Sequence, residues 1–449
     1  MTTYVLWSLV KMLALVVFIN RYVAGILLRI VRGKKWDETC DDFEPNVTVV
    51  IPMFNEGIAI QETLQSLLAS EYPREKLEIV VVDDCSTDNS FELAREMARG
   101  TNGQLRVIRN RQNLGKRRSI NRAVASSQAE VIVSVDSDVV IDANAIKELT
   151  RRFVDDRIAA VGGWVDVRNK HQNWLTRMQT IKYWYGYYFL KNLEWGFRRV
   201  MCLSGCLTAY RRSVLVELEP ILEERSILGV SIKYGEDRFL TRQIIKAGYL
   251  TTMTHAARCR TFVPAHLPEY FSQQLRWRRS NIVDYSGAVS HVWKLNPFLA
   301  IHFFAQFALL VAYPITVIRA LSSGWFFEAM QIHLYVVAVF GLYYRWRVRK
   351  EPASERVGSL TFLPVALLMP ITYALMTPLA LFTLDSGSWE TRGHEAEPEV
   401  EATETPIRTP AEAITSTGQH VLVPALAGEP VRTRAASRST GSHAQLPAA

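Results

Sequence analysis

Six short stretches carry the residue types that bind charged ligands or move protons. Asp136-Ser137-Asp138 sets two carboxylates at alternate positions directly after the apolar run VIVSV (131–135). Mg2+ favours one or two carboxylates completed by phosphate oxygens, so this pair could hold one divalent cation against a diphosphate. Alone, it reads more readily as a polar strand end or as a helix N-cap before VVIDANAIKEL. Asp83-Asp84 closes another apolar run, 77–82. Lys116 and Arg117, in NLGKRRSINRA, offer phosphate a point charge and a planar fork. In YGEDRFLTRQ, Glu236 and Asp237 stand beside Arg238. Two adjacent carboxylates are ordinary on a solvated helix and costly in a pocket. QQLRW (273–277) supplies Gln273, Arg276 and Trp277, and SGCLTAYRR (204–212) opens on Ser204 and Gly205.

The elements that must position these groups alternate. VTVVI (47–51), the 77–82 run, LRVIR (105–109) and VIVSV are short, β-branched and apolar, and helical patterns such as IAIQETLQSLLAS and FELAREMARG separate them. Continuously apolar strands alternating with helices predict a mostly parallel sheet covered on both faces. Ligands of such sheets sit beyond the carboxyl ends of the strands. Both Asp83-Asp84 and Asp136-Ser137-Asp138 fall at such ends.

Residues 4–28 are long and apolar enough to span a bilayer, and no small-residue cleavage pattern follows them. Three further apolar runs lie at about 298–320, 325–344 and 360–384. Arg29, Arg32, Lys34 and Lys35 follow the first span, and Arg345, Arg347, Arg349, Lys350 and Arg356 separate the last two. Positive charge stays inside, so the middle of the chain is expected in the cytoplasm, with the 322–324 turn and the C-terminus outside. The chain divides accordingly: an N-terminal transmembrane helix (1–31), a cytosolic domain with interfacial helices (32–297), three transmembrane helices (298–384) and a tail (385–449). No aromatic residue follows Trp389, and a tail rich in Pro, Glu, Thr, Ala and Ser has no core to fold around.

The net charge of +8 could suggest nucleic acid, an anionic membrane or a phosphorylated substrate. No zinc-finger spacing, RNA-binding aromatic motif or basic region leading into heptads occurs, which speaks against nucleic acid. The five cysteines form no CxxC pair and fit a reducing compartment. Cys202 and Cys206 read as packing residues. The aromatic run WLTRMQTIKYWYGYYFL (174–190) reads as core packing or a membrane-facing surface rather than a ligand contact.

In this order and spacing, IPMFNEG, VVVDDCSTDNS, the DxD, SGCLTAYRR, GED and QxxRW resemble the family-2 inverting glycosyltransferases. The resemblance is closest to their processive membrane synthases: hyaluronan, chitin and nodulation-type chitooligosaccharide synthases. It covers roughly residues 45–290, and the flanking apolar pattern extends it to about 385. It implies a GT-A-type, Rossmann-like α/β cytosolic domain fused to an α-helical transmembrane region in the plasma membrane. The implied partners are a UDP-sugar donor, a growing polysaccharide acceptor and membrane lipids, with Mg2+ or Mn2+ as cofactor.

The resemblance assigns Asp83 and Asp84 to the uridine, Lys116 and Arg117 to the diphosphate, and Asp136 and Asp138 to the metal. Ser204 and Gly205 fall on the acceptor side. Asp237 matches the base that deprotonates the acceptor hydroxyl, with Glu236 supporting it and Arg238 keeping it ionised. In QxxRW, beginning at Gln273, Arg276 meets pyrophosphate and Trp277 lies under the acceptor sugar. The chain departs from the hyaluronan synthase pattern in reading SGCL, where SGPL is expected, and GED where GDD is common. Those changes leave the sugar repertoire open. Single-sugar transfer to a lipid phosphate carrier and a catalytically silent scaffold are the alternatives. Oligomeric state is not readable.

Overall fold

The computed structural model describes residues 20–32, 38–223, 226–227, 230–232, 234–295, 297–324 and 326–384. The expected span at 4–28 lies mostly outside them, as does the tail. A π-helical turn, Asn20–Ala24, runs into α1 (Gly25–Arg32). The α/β domain follows: β1 (Val47–Met53), α2 (Ala59–Leu68), β2 (Leu77–Asp83), α3 (Ser90–Arg99), β3 (Leu105–Arg109), α4 (Lys116–Ser126), β4 (Val131–Val135), β5 (Val140–Ile141), α5 (Ala145–Thr150) and β6 (Ile158–Val167). Then come α6 (Trp174–Tyr183), a π-helical segment (Trp184–Leu190), α7 (Lys191–Trp195), β7 (Leu207–Arg211), α8 (Arg212–Glu223), a small hairpin of β8 (Ser226–Ile227) and β9 (Val230–Ser231), α9 (Glu236–Lys246), β10 (Leu250–Thr261) and α10 (Leu267–Ala288). A short α11 (Val292–Leu295) leads to α12 (Pro297–Ser322), α13 (Phe326–Arg347) and α14 (Phe362–Leu381).

The sheet has eight strands in the order β3-β2-β1-β4-β7-β6-β10-β5. The four strands read from the sequence are parallel neighbours, and all seven residues of β1 are buried. The other half is mixed: β7 runs antiparallel to both β4 and β6, and β5 antiparallel to β10. The sheet is therefore less parallel than apolar alternation suggests. β7 is short and buried like the parallel strands, so its side chains carry no mark of its direction.

Helices form at all three late apolar runs, as α12, α13 and α14. α13 alone among the described residues is long and apolar enough to cross a membrane as one straight helix, and α14 reaches that length only as two parts bent by 43°. Both ends of α14 are tied to the α/β domain. Before it, Lys170 Nζ lies 2.8 Å from Glu355 Oε2, and His171 Nε2 lies 2.9 Å from the Ser354 carbonyl. After it, the Tyr234 hydroxyl donates to the Leu384 carbonyl at 2.8 Å.

Candidate active site

The carboxyl ends of β1 and β4 open into a cavity of about 960 Å3. Of the fourteen residues singled out above as catalytic, substrate-binding or metal-binding, eleven line it and three do not. Lys116, Asp136, Asp138, Ser204, Gly205, Glu236, Asp237, Arg238, Gln273, Arg276 and Trp277 all line the cavity. Asp83, Asp84 and Arg117 do not. Arg117 lines a second cavity of about 50 Å3 that shares Lys116, Gly205, Glu236 and Asp237 with the first.

Asp83 and Asp84 are fully buried. Asp84 Oδ1 accepts from Asn110 Nδ2 at 2.7 Å and from the Leu114 amide at 2.8 Å, and its Oδ2 accepts from the Gly115 amide at 2.7 Å. Asp83 accepts from the Ser86 amide at 3.2 Å and pairs with Arg109 Nε at 3.1 Å. Burial pushes the Asp83 carboxyl above its usual range, against the pull of Ser86 and Arg109. Asp84 thus fixes the loop that ends at Gly115, whose φ of +82° suits glycine, and that launches α4 at Lys116.

Lys116 is the brace of the site. Its Nζ lies 2.6 Å from Asp136 Oδ1 and 3.3 Å from Glu236 Oε1. Burial works against its charge, but Asp136 and Glu236 outweigh burial and raise its affinity for the proton. The converse holds for the acids: burial pushes Asp136 and Glu236 up, and Lys116 brings both below their ordinary values. Glu236 and Asp237 form the first turn of α9, where a helix N-terminus favours negative charge. Gly235 precedes them at φ +70°, and a Cβ there would stand 2.0 Å from Ser280 Oγ. Only glycine seats this turn against α10. Asp237 Oδ1 accepts from the Arg238 amide at 2.8 Å, while Oδ2 lies 3.4 Å from the Gly205 amide. The carboxylate pair therefore sits in a pocket, neutralised from one side by Lys116.

Two observations bear on a metal. A Cβ at Gly205 would stand 2.9 Å from Lys116 Nζ and 3.4 Å from Asp136 Oδ1, so the glycine keeps the space beside Asp136 open. Among the described residues, no three His, Cys, Asp or Glu side chains converge into a cage. Two carboxylates at the rim, with the remaining positions left to phosphate oxygens, fit Mg2+ or Mn2+. Glu56, which sequence reasoning passed over, supports the middle of the motif by accepting from Ser137 Oγ at 2.8 Å.

The other half of the cavity is aromatic. Tyr183, Tyr185, Gly186 and Tyr187 line it together with Trp277, so the 174–190 run, which packs as expected, also has a face on the cavity. Trp184 and Tyr188 do pack, stacking at 5.5 Å between centroids. The π-helical winding of this stretch turns alternate aromatics both ways, and such segments cluster at functional sites. A signal lay in Gly186, where a Cβ would meet nothing within 4 Å, so the glycine serves no close packing contact. Lys182 also lines the cavity, 5.9 Å from the Trp277 ring centroid, and burial pushes its ammonium down to about 7.

Residues 48–219 match the model of the glycosyl transferase family 2. An N-acetylglucosaminyltransferase of Rhizobium leguminosarum bv. viciae is 31% identical over 356 residues, 78% of this chain and 82% of that protein. One from Rhizobium meliloti (strain 1021) is 30% identical over 372 residues, 81% and 86% of the two chains. Among solved structures, a mannosyltransferase from Pyrobaculum calidifontis in complex with GDP-Man and Mn2+ shares the fold, with a TM-score of 0.53 at 19% identity over 83% of this chain and 96% of that one. With Asp136 and Asp138 beyond a strand end inside the matched segment, and relatives matched over most of their length, the chain belongs to glycosyl transferase family 2 and is a glycosyltransferase.

Proposed function

We propose that the protein is a membrane-embedded, processive, inverting β-glycosyltransferase that polymerises UDP-sugars and passes the product along its own helices. The observation that carries this reading is the reach of the cavity. It begins at Asp136, Asp138 and Asp237, passes Trp277 and the tyrosines, and continues to His333, Val336 and Phe340 of α13 and Val365 and Tyr373 of α14. An enzyme that releases each product has no need of a groove leading from its carboxylates into apolar helices. Aromatic faces suit pyranose rings and let a chain slide without fixed hydrogen bonds. The catalytic domain faces the cytoplasm, where nucleotide sugars are made, and the helices anchor it in the plasma membrane.

In this reading Asp237 takes the proton from the acceptor hydroxyl as that oxygen attacks the anomeric carbon and the bond to UDP breaks on the opposite face. No covalent sugar intermediate forms. Lys116 and Arg276 meet the charge that develops on the departing diphosphate, and Glu236 holds Lys116 in place. A divalent cation, Mg2+ or Mn2+, bound by Asp136 and Asp138 would neutralise that diphosphate further. Asp83 and Asp84 serve the nucleotide end, Asp84 through the loop it fixes. The relatives named as N-acetylglucosaminyltransferases make UDP-GlcNAc the first donor to try.

The test is UDP release by the purified, detergent-solubilised protein with Mg2+ or Mn2+ and UDP-GlcNAc, UDP-GlcA or both. Turnover with UDP-GlcNAc alone and a chitinase-sensitive polymer marks the chitin type. Turnover only with both donors and a hyaluronidase-sensitive polymer marks the hyaluronan type. A product of one added sugar would replace polymerisation with transfer to a carrier. Asp237→Asn should lower kcat about 10²–10⁴-fold while UDP binding survives, the scale expected of a general base.

A further inference from the structure

We infer that α14 does not cross the membrane but lies in its plane at the cytoplasmic surface, one face on the α/β domain and the other in lipid, so that the tail from 385 starts on the active-site side. The inference rests on the membrane reading above and departs from the exit to the far side expected from loop charge.

The argument begins with α10, beside which α14 runs in the same direction. Tyr270 packs with Val365 and Leu368 near the start, and Ile282 with Ala380 near the end. Between them the Arg278 guanidinium lies 3.7 Å from the Tyr373 ring centroid, and Arg279 Nε donates to Thr383 Oγ1 at 3.0 Å. α10 carries Glu269, Arg276, Arg278, Arg279 and Asp284, and its Arg276 lines the same cavity as Asp136 and Asp237. A helix with these charges stays out of hydrocarbon, where each would cost several kcal/mol. α14 keeps contact with it from one end to the other, and so stays at the same depth. The tethers agree, since Lys170 and His171 hold the segment before α14 while Tyr234 and Arg279 hold the residues after it.

The free face names the partner. Leu363, Leu367, Ile371, Leu375 and Leu379 recur every four residues along α14 and are 46–62% exposed. Such a stripe, backed by a polar domain, is the pattern of a helix seated at the boundary of headgroups and acyl chains. It is continuous in character with the exposed apolar side chains of α13, among them Ile332, Val339 and Leu342. The consequence reaches the chemistry. Tyr234, which holds Leu384, immediately precedes Gly235 and the Glu236-Asp237 turn, so Leu384 is held beside the turn that carries the proposed base.

The experiment uses the full chain in sealed vesicles of both orientations, with one epitope tag after Ala449 or one inserted in the 322–324 turn. Turnover of added UDP-GlcNAc, which does not cross the bilayer, marks the active-site face. Protease added to that face should remove the C-terminal tag and spare the turn tag. Loss of both tags only from the opposite face would overturn the inference while leaving the membrane reading intact. Loss of both tags from the active-site face, or release of the protein by alkaline carbonate, would remove the membrane reading and the inference with it.

Discussion

Asp83-Asp84 and Asp136-Ser137-Asp138 close the two strands that flank β1, yet one pair is consumed by the fold and the other is left open to chemistry. Asp84 meets three N–H donors and has no exposed surface. The Asp136 side chain is 25% exposed and meets a lysine that it shares with Glu236. The same residue type at equivalent points of a sheet is thus closed off or left accessible, according to what fills its lone pairs. The two are coupled, because the loop that Asp84 fixes is the loop that delivers Lys116 to Asp136.

The sharpest way to break this comparison is to disarm the open pair. Asp136→Asn or Asp138→Asn should lower kcat about 10²–10³-fold, the scale of losing one preorganised electrostatic group. UDP release at the wild-type rate would mean that the diphosphate binds elsewhere. Asp84→Asn should act on stability first. An amide offers one acceptor oxygen where three donors converge, and stranding a buried donor costs about 1–3 kcal/mol. Thermal unfolding of Asp84→Asn and Asp136→Asn side by side would test the distinction, and equal melting temperatures would erase it. Gly205→Ala intrudes where Lys116 and Asp136 meet, and a loss of about tenfold in kcat/KM with little change in melting temperature is expected.

The smallest effect concerns the aromatic end. Lys182 in the fold gives up its proton near 7, below its ordinary value of 10.5. Between those values the unfolded chain binds a proton that the folded chain does not, so this lysine makes stability rise with pH across that window. Lys182→Met should flatten the rise, read as melting temperature against pH from 7 upward. An unchanged profile would mean that the amine is solvated rather than enclosed.

Much of the α/β frame was legible because a strand covered on both faces must be largely apolar, as β1, β2 and β4 are. The motif residues were legible as types, since adjacent carboxylates and QxxRW have few structural uses. The antiparallel course of β7 was not, because strand direction leaves side-chain burial unchanged. Nor was the role of the 174–190 aromatics, since a π-helical segment abandons the period by which a face is read.

The sequence by itself determined that three acidic stretches, a basic helix start and QxxRW exist, that the first two acidic stretches end strands, and that the 298–384 region is apolar. Tertiary structure alone decided which carboxylates face a cavity. Asp83 and Asp136 differ not in their own chemistry but in the donors that the rest of the chain folds against them. It also decided what α14 lies on. Twenty largely apolar residues give the length of a span, and only the tertiary structure shows that this helix packs along charged α10.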